Sequence, residues 1–140
     1  MQPFYLGETA CVCNGELYGF REAKAMLEGK GYRFQSGSDC ELLLPLYREY
    51  GLDMFARLDA EFAMILYDGE KGDFICARDP IGIRPLFYGA LPDGYGFCQR
   101  GKGLAGPVRA DHAFPAGALL RPGRVCAVRR PGFRSCLPYG

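Results

Sequence analysis

Two stretches of helically spaced apolar residues, followed from residue 61 by a change to strand-like runs, constrain this chain's fold more than anything else in it. Phe20, Ala23, Met26 and Leu27 set one apolar stripe on a helix over 20–30, with Gly31 as its stop. Leu42, Leu43, Leu46, Tyr47 and Tyr50 give a second helix, and Ser38, three residues before Glu41, marks its start as a capping box. Met54, Phe55 and Leu58 suggest one more short helix. Upstream, 10–14 reads as a buried strand ending in a turn at Asn14-Gly15, and 32–35 as a short strand. Further on, 61–68 and 73–78 form a hairpin about the turn 69–72. Residues 79–85 are a rigid turn with two prolines and a glycine, and 86–90 and 95–97 are further strands. Helices interleaved with strands and closed by a meander is an α+β order rather than βαβ repetition.

With 140 residues the chain suits one domain or part of a larger one, and 49% apolar with 24% charged residues is ordinary globular composition. No apolar run approaches the roughly 18 residues of a membrane span. Met1-Gln2-Pro3-Phe4-Tyr5 carries no basic region ahead of an apolar stretch, so a cytoplasmic location without membrane contact is expected. There are seven cysteines and no CxxC, which points to reduced thiols filling the core and to no metal site. Cys11 and Cys13 are expected on opposite sides of their strand, unable to bridge each other or share a metal. The charge is uneven: residues 1–97 hold nine Lys/Arg against fifteen Asp/Glu, whereas 98–140 hold eight against one. A basic arm of that kind can bind nucleic acid, but this one lacks interleaved aromatics, and no nucleic-acid partner is expected.

The residues suited to chemistry are Asn14-Gly15-Glu16 and Asp39. A side-chain amide and a backbone N–H aimed at one point form an oxyanion hole, which stabilises the tetrahedral intermediate of amide hydrolysis. Asp39 at a helix start can hold a substrate ammonium, and Glu16 is near enough in sequence to line the same pocket. Taken singly, an Asn-Gly pair is more often a turn and a Ser-Asp start more often a cap.

Longer strings sharpen this. CNGELYGFR (13–21), FQSGSDCELLLPLYREYG (34–51), LDAEFAMILYD (58–68) and ARDPIGIRPLFYG (77–89) resemble, in order and spacing, the class II glutamine amidotransferases. NGELYGFR, SGSDCE and DAEFA resemble asparagine synthetase in particular. The resemblance implies a glutaminase domain over 1–97 and a partial αββα Ntn-hydrolase sandwich, two stacked antiparallel sheets flanked by helices, with N-terminal strands missing. It implies that Asn14 and Gly15 form the oxyanion hole, and that these two with Glu16 and Asp39 bind L-glutamine. Arg78-Asp79-Pro80 and Gly82-Ile83-Arg84-Pro85 match a family signature and are read as structural, a buried Arg-Asp pair in a rigid turn.

In that family the nucleophile is an N-terminal cysteine whose α-amino group is the base. This chain starts Met1-Gln2, and the family's glutamine-carboxylate-binding arginine also lies upstream of that start, so an inactive fragment is expected. Cys13 has no base within sequence reach, and the lone histidine, His112, is in the tail. The family's ATP and Mg belong to a synthetase domain that this chain does not contain, so no cofactor is expected here and a synthetase domain or subunit is the expected partner. The alternatives are the amidophosphoribosyltransferase type of glutaminase and a non-catalytic glutamine-binding or subunit-interaction module. After Phe97 the likeness fades into a tail, 98–140, with five prolines and seven glycines. Codons can be chosen for 98–106 that give the family-like Ala-Ser-Glu-Ala-Lys-Gly-Leu one base later. Residues near 111–120 behave alike at the same offset, so an out-of-frame tail is expected. Loss of N-terminal strands is expected to leave an apolar sheet face and a strand edge uncovered.

Overall fold

The computed structural model describes residues 1–91, 94–98, 112–113 and 119–120. The strands are β1 (Phe4–Leu6), β2 (Thr9–Leu17), β3 (Ala60–Asp68), β4 (Asp73–Arg78), β5 (Phe87–Leu91), β6 (Gly94–Cys98), β7 (His112–Ala113) and β8 (Leu119–Leu120). Between β2 and β3 run α1 (Phe20–Gly29), a 3₁₀ turn (Asp39–Leu42), α2 (Leu43–Tyr50) and a second 3₁₀ turn (Gly51–Ala56). One antiparallel sheet has the order β1-β2-β3-β4-β8 and a smaller one the order β6-β5-β7.

Strand alternation gives the large sheet two faces. Cys11, Cys13, Leu17, Phe62, Met64, Leu66, Ile75 and Ala77 share one core with Leu27 of α1, with α2 and with Met54 and Phe55. α2 is apolar almost all round because Leu43 to Tyr47 are all buried, and its Pro45 lies in the first turn, where a missing N–H breaks no helical bond. On the other face Ala63 and Cys76 are buried with Leu86, and Ile65 and Phe97 of β6 pack against them. Helices, sheet and second sheet are therefore stacked in that order, which is the α+β arrangement of a partial αββα sandwich. Farther along that second face, Val12, Tyr67 and Phe74 remain 39%, 38% and 47% exposed.

Several local expectations are corrected. Cys11 and Cys13 share a face and a core, because residues two apart in a strand always do. Asn14-Gly15 is not a turn: β2 runs straight through it, paired in register with Ala63 and Phe62. Residues 32–35 form no strand. Their polar groups go to side chains instead, with Gln35 N–H donating to Glu41 Oε1 at 2.9 Å and the Tyr32 hydroxyl to Glu49 Oε1 at 2.7 Å. Ser38 makes no capping bond with its side chain. Glu41 reaches back past it, accepting the Ser36 N–H at 2.8 Å and the Ser36 hydroxyl at 2.6 Å. Most of the expected out-of-frame tail lies outside the described residues. Of those described, Leu119 and Leu120 pair with Ala77 and Cys76, and His112 and Ala113 with Tyr88 and Phe87.

The turn 79–85 is held by one carboxylate. Asp79 is 1% exposed. Its Oδ1 accepts the N–H groups of Ile81, Gly82 and Ile83 at 3.1, 2.6 and 3.1 Å, and its Oδ2 those of Phe62 and Arg84 at 3.2 and 3.3 Å. Arg78 closes the same turn from outside, donating Nε to Arg84 O at 2.6 Å and Nη2 to Gly82 O at 2.7 Å. Each buried donor left without an acceptor costs about 1–3 kcal/mol. Asp79→Ala is expected to lower stability by about 3 kcal/mol or more in urea denaturation, and Asp79→Asn by less.

At the other end of β3, Asp68 is buried. Its Oδ2 accepts the Tyr47 hydroxyl at 2.9 Å, and its Oδ1 the N–H groups of Glu70 and Lys71 at 3.1 and 3.2 Å. Burial pushes this carboxyl up, but the Tyr47 bond, the backbone donors and the Lys71 ammonium outweigh it and hold it below the usual carboxylate range. A group depressed in this way adds stability above its unfolded value of about 3.9, and that stability is lost as pH falls through the lower folded value. Melting temperatures taken from neutral pH down to acid should therefore fall less steeply for Asp68→Asn than for the parent chain.

Candidate oxyanion and glutamine site

The site lies where β2 outruns its neighbour. β1 pairs with Thr9 to Cys11 and ends there, while β2 continues to Leu17. In an antiparallel strand alternate residues send N–H and C=O to opposite sides. Cys13 sends both toward the missing neighbour, and the Gln2 carboxamide answers them. Cys13 N–H donates to Gln2 Oε1 at 2.7 Å, and Gln2 Nε2 donates to Cys13 O at 2.6 Å. Gly15 and Leu17 point the same way. The far side agrees: Phe62, opposite Gly15, directs its own N–H and C=O away from β2 to Asp79, at 3.2 and 2.8 Å.

The turn at 39–42 supplies the next partners on this edge. Leu17 N–H donates to Asp39 Oδ2 at 2.6 Å, and Cys40 Sγ donates to Gly15 O at 3.5 Å. Asp39 Oδ1 also accepts the Cys40 N–H at 2.9 Å. Of the three N–H groups that β2 turns to this edge beyond β1, those of Cys13, Gly15 and Leu17, only Gly15 N–H is left without an acceptor among the described residues.

Asn14 and Glu16 leave the strand on the other side, toward the second sheet. Asn14 lines a cavity of about 170 Å³ together with Gln2, Val12, Ala63, Ile65, Leu86 and Phe97. No described residue hydrogen-bonds its carboxamide. Glu16 is exposed and directly opposite Glu61 of β3. Glu61 is paired with Arg84 Nη2 at 2.5 Å, while Arg84 Nε is buried without a partner among the described residues. The four expected site residues thus cluster at one end of β2. Gly15 and Asp39 meet along its edge, and Asn14 and Glu16 occupy the adjoining face. Among the described residues no group of three His, Cys, Asp or Glu is placed to hold a metal ion.

Gln2, Cys40 and the Glu61–Arg84 pair went unnoticed in the sequence. Gln2 and Cys40 act through backbone atoms whose direction depends on strand register, and no residue pattern announces that. Register also explains Gly15. A Cβ there would strike Glu61 O and lie 2.8 Å from both Phe62 Cα and Phe62 Cβ. Overpacking of this kind costs about 1–3 kcal/mol. Gly15→Ala should be destabilised by that much in chemical denaturation.

The chain belongs to the glutamine amidotransferase domain family, whose pattern matches residues 1–104. It is 41% identical over 121 residues to asparagine synthetase [glutamine-hydrolyzing] 2 of Oryza sativa subsp. japonica, covering 84% of this chain and 20% of that protein. It is 38% identical over 122 residues to asparagine synthetase B [glutamine-hydrolyzing] of Escherichia coli (strain K12), covering 85% of this chain and 22% of that one. The chain thus spans about a fifth of the length of these curated relatives. Among solved structures it resembles the glutamine phosphoribosylpyrophosphate amidotransferase of B. subtilis, with a TM-score of 0.56 and 28% identity over 67% of this chain and 23% of that one. The Ntn-hydrolase sandwich and the kinship with asparagine synthetase glutaminase domains follow from these matches. No helix among the described residues is long and apolar enough to cross a membrane.

Proposed function

We propose that this chain forms the glutamine-binding and oxyanion-stabilising part of a glutaminase that supplies ammonia for ATP-dependent asparagine synthesis. The observation that carries the reading is the Gly15 N–H, left over on an edge whose neighbouring donors are satisfied, beside an Asn14 carboxamide that is equally uncommitted. Two fixed donors of this kind stabilise a developing oxyanion without reorganising. Asp39 has acceptor capacity beyond its two backbone bonds and is positioned to take the substrate ammonium, with Glu16 as a second carboxylate nearby. The match to two asparagine synthetases at 41% and 38% identity favours asparagine synthesis over the amidophosphoribosyltransferase type. In this reading, ATP and Mg act in a synthetase domain or subunit that uses the ammonia.

The attack on the amide needs a thiolate or equivalent nucleophile, and Cys11, Cys13, Cys40 and Cys76 are all buried. Burial, aided by the neighbouring Cys40, pushes the Cys11 thiol up to about 12. Cys13, hydrogen-bonded to Cys40 and buried, is held well above the thiol range. The 140-residue chain alone is therefore expected to bind L-glutamine without releasing ammonia from it. Calorimetric titration should show saturable heat with L-glutamine. Asp39→Asn, which keeps an acceptor for Leu17 N–H but removes the charge, should weaken binding about tenfold or more. Absence of heat at millimolar L-glutamine would sink this function.

A further inference from the structure

The open edge of β2 is closed by side chains where a strand would otherwise lie. Gln2 offers one acceptor and one donor to Cys13, as the backbone of an added strand residue would. One step farther, Cys40 offers a donor to Gly15 O, and Asp39 an acceptor to Leu17 N–H. Gln2 is also the register partner that a longer β1 would place opposite Cys13, since Phe4 pairs with Cys11. Cys40 is 3% exposed, so its thiol is a fixed donor and not a surface group. Glycine has the widest backbone freedom of any residue, and one at an unpaired edge can swing its peptide planes.

We propose that Gln2 and Cys40 are positioning residues for the oxyanion corner: they clamp the backbone on either side of the Gly15 N–H and thereby hold that donor outward and unshared. Neither side chain donates to the substrate. Their effect passes through Cys13 and the Gly15 carbonyl. The clamp rests on the oxyanion reading for its purpose, but its geometry can be tested without substrate.

The test uses the full chain labelled with ¹⁵N, and the variants Gln2→Ala, Cys40→Ala and Cys40→Ser. The Gly15 amide resonance should be sharp in the parent chain. It should shift and broaden in Gln2→Ala and Cys40→Ala, with L-glutamine affinity lowered about fivefold, the usual worth of one hydrogen bond. Cys40→Ser, which restores a donor at the same place, should recover both the resonance and the affinity. A packing role for Cys40 reverses that order, because alanine suits a buried apolar site better than serine. The clamp is overturned if both alanine variants keep the parent Gly15 resonance, or if Cys40→Ser does no better than Cys40→Ala. If the parent chain binds no glutamine, the proposed function fails, while the Gly15 resonances of the four proteins still decide the clamp.

Discussion

The end of β2 beyond β1 is an unpaired strand edge inside a folded protein, and the candidate site is organised around satisfying it. Buried backbone groups without partners are costly, so such edges are covered, paired or exposed to water. Here three side chains from two distant segments take the place of a strand. Gln2 comes from the start of the chain, and Asp39 and Cys40 come from the turn that leads into α2. Their supply stops one acceptor short. The N–H that remains belongs to Gly15, next to the Asn14 carboxamide, which lines the intersheet cavity.

The orientation of that donor depends on residues that never approach the site cavity. Gly15 points outward because its partner Phe62 is turned toward β4, and Phe62 is turned that way because Asp79 takes its N–H and gives an N–H to its carbonyl. Asp79 also organises the turn that carries Arg84 back to Glu61, the cross-strand neighbour of Glu16. Like charges directly opposite each other destabilise a strand pair, and Arg84 relieves that between Glu16 and Glu61. The signature 78–85 is structural in what it touches, but through β3 it sets the geometry of β2.

The sequence revealed much of this fold and site, and its failures have one cause. Apolar spacing located α1, α2, β3 and β4 closely, because each buries one face against a core and the pattern records that burial. Asn14, Gly15, Glu16 and Asp39 were legible through their motifs, and the structure gathers them at one strand end. Asn14-Gly15 was misread as a turn because glycine has two uses: it permits unusual dihedrals, and it lets another backbone come close. Only the second applies here, and it is visible only once β3 lies against β2. Gln2, Cys40, Glu61 and Arg84 were missed for the same reason, since their roles exist only in a particular register. The capping box failed differently: Ser38 and Glu41 have the right spacing, but Glu41 finds better donors at Gln35 and Ser36.

The cysteines separate binding from bond cleavage. A thiol attacks as its thiolate, and thiolates form where the surroundings are positive or polar. Cys11 and Cys13 instead share the core with leucines and methionines, Cys13 near the carboxylate of Asp39. Burial and a negative neighbour both favour the protonated form, and a protonated thiol is a donor of modest strength. The Cys13 hydrogen bond holds the Cys40 thiol below its usual range, and Cys40 is buried with its Sγ–H on the Gly15 carbonyl. A buried thiol committed to a backbone carbonyl is closed off from substrate, so the recognition half of amide hydrolysis can be built from these residues without the attacking half.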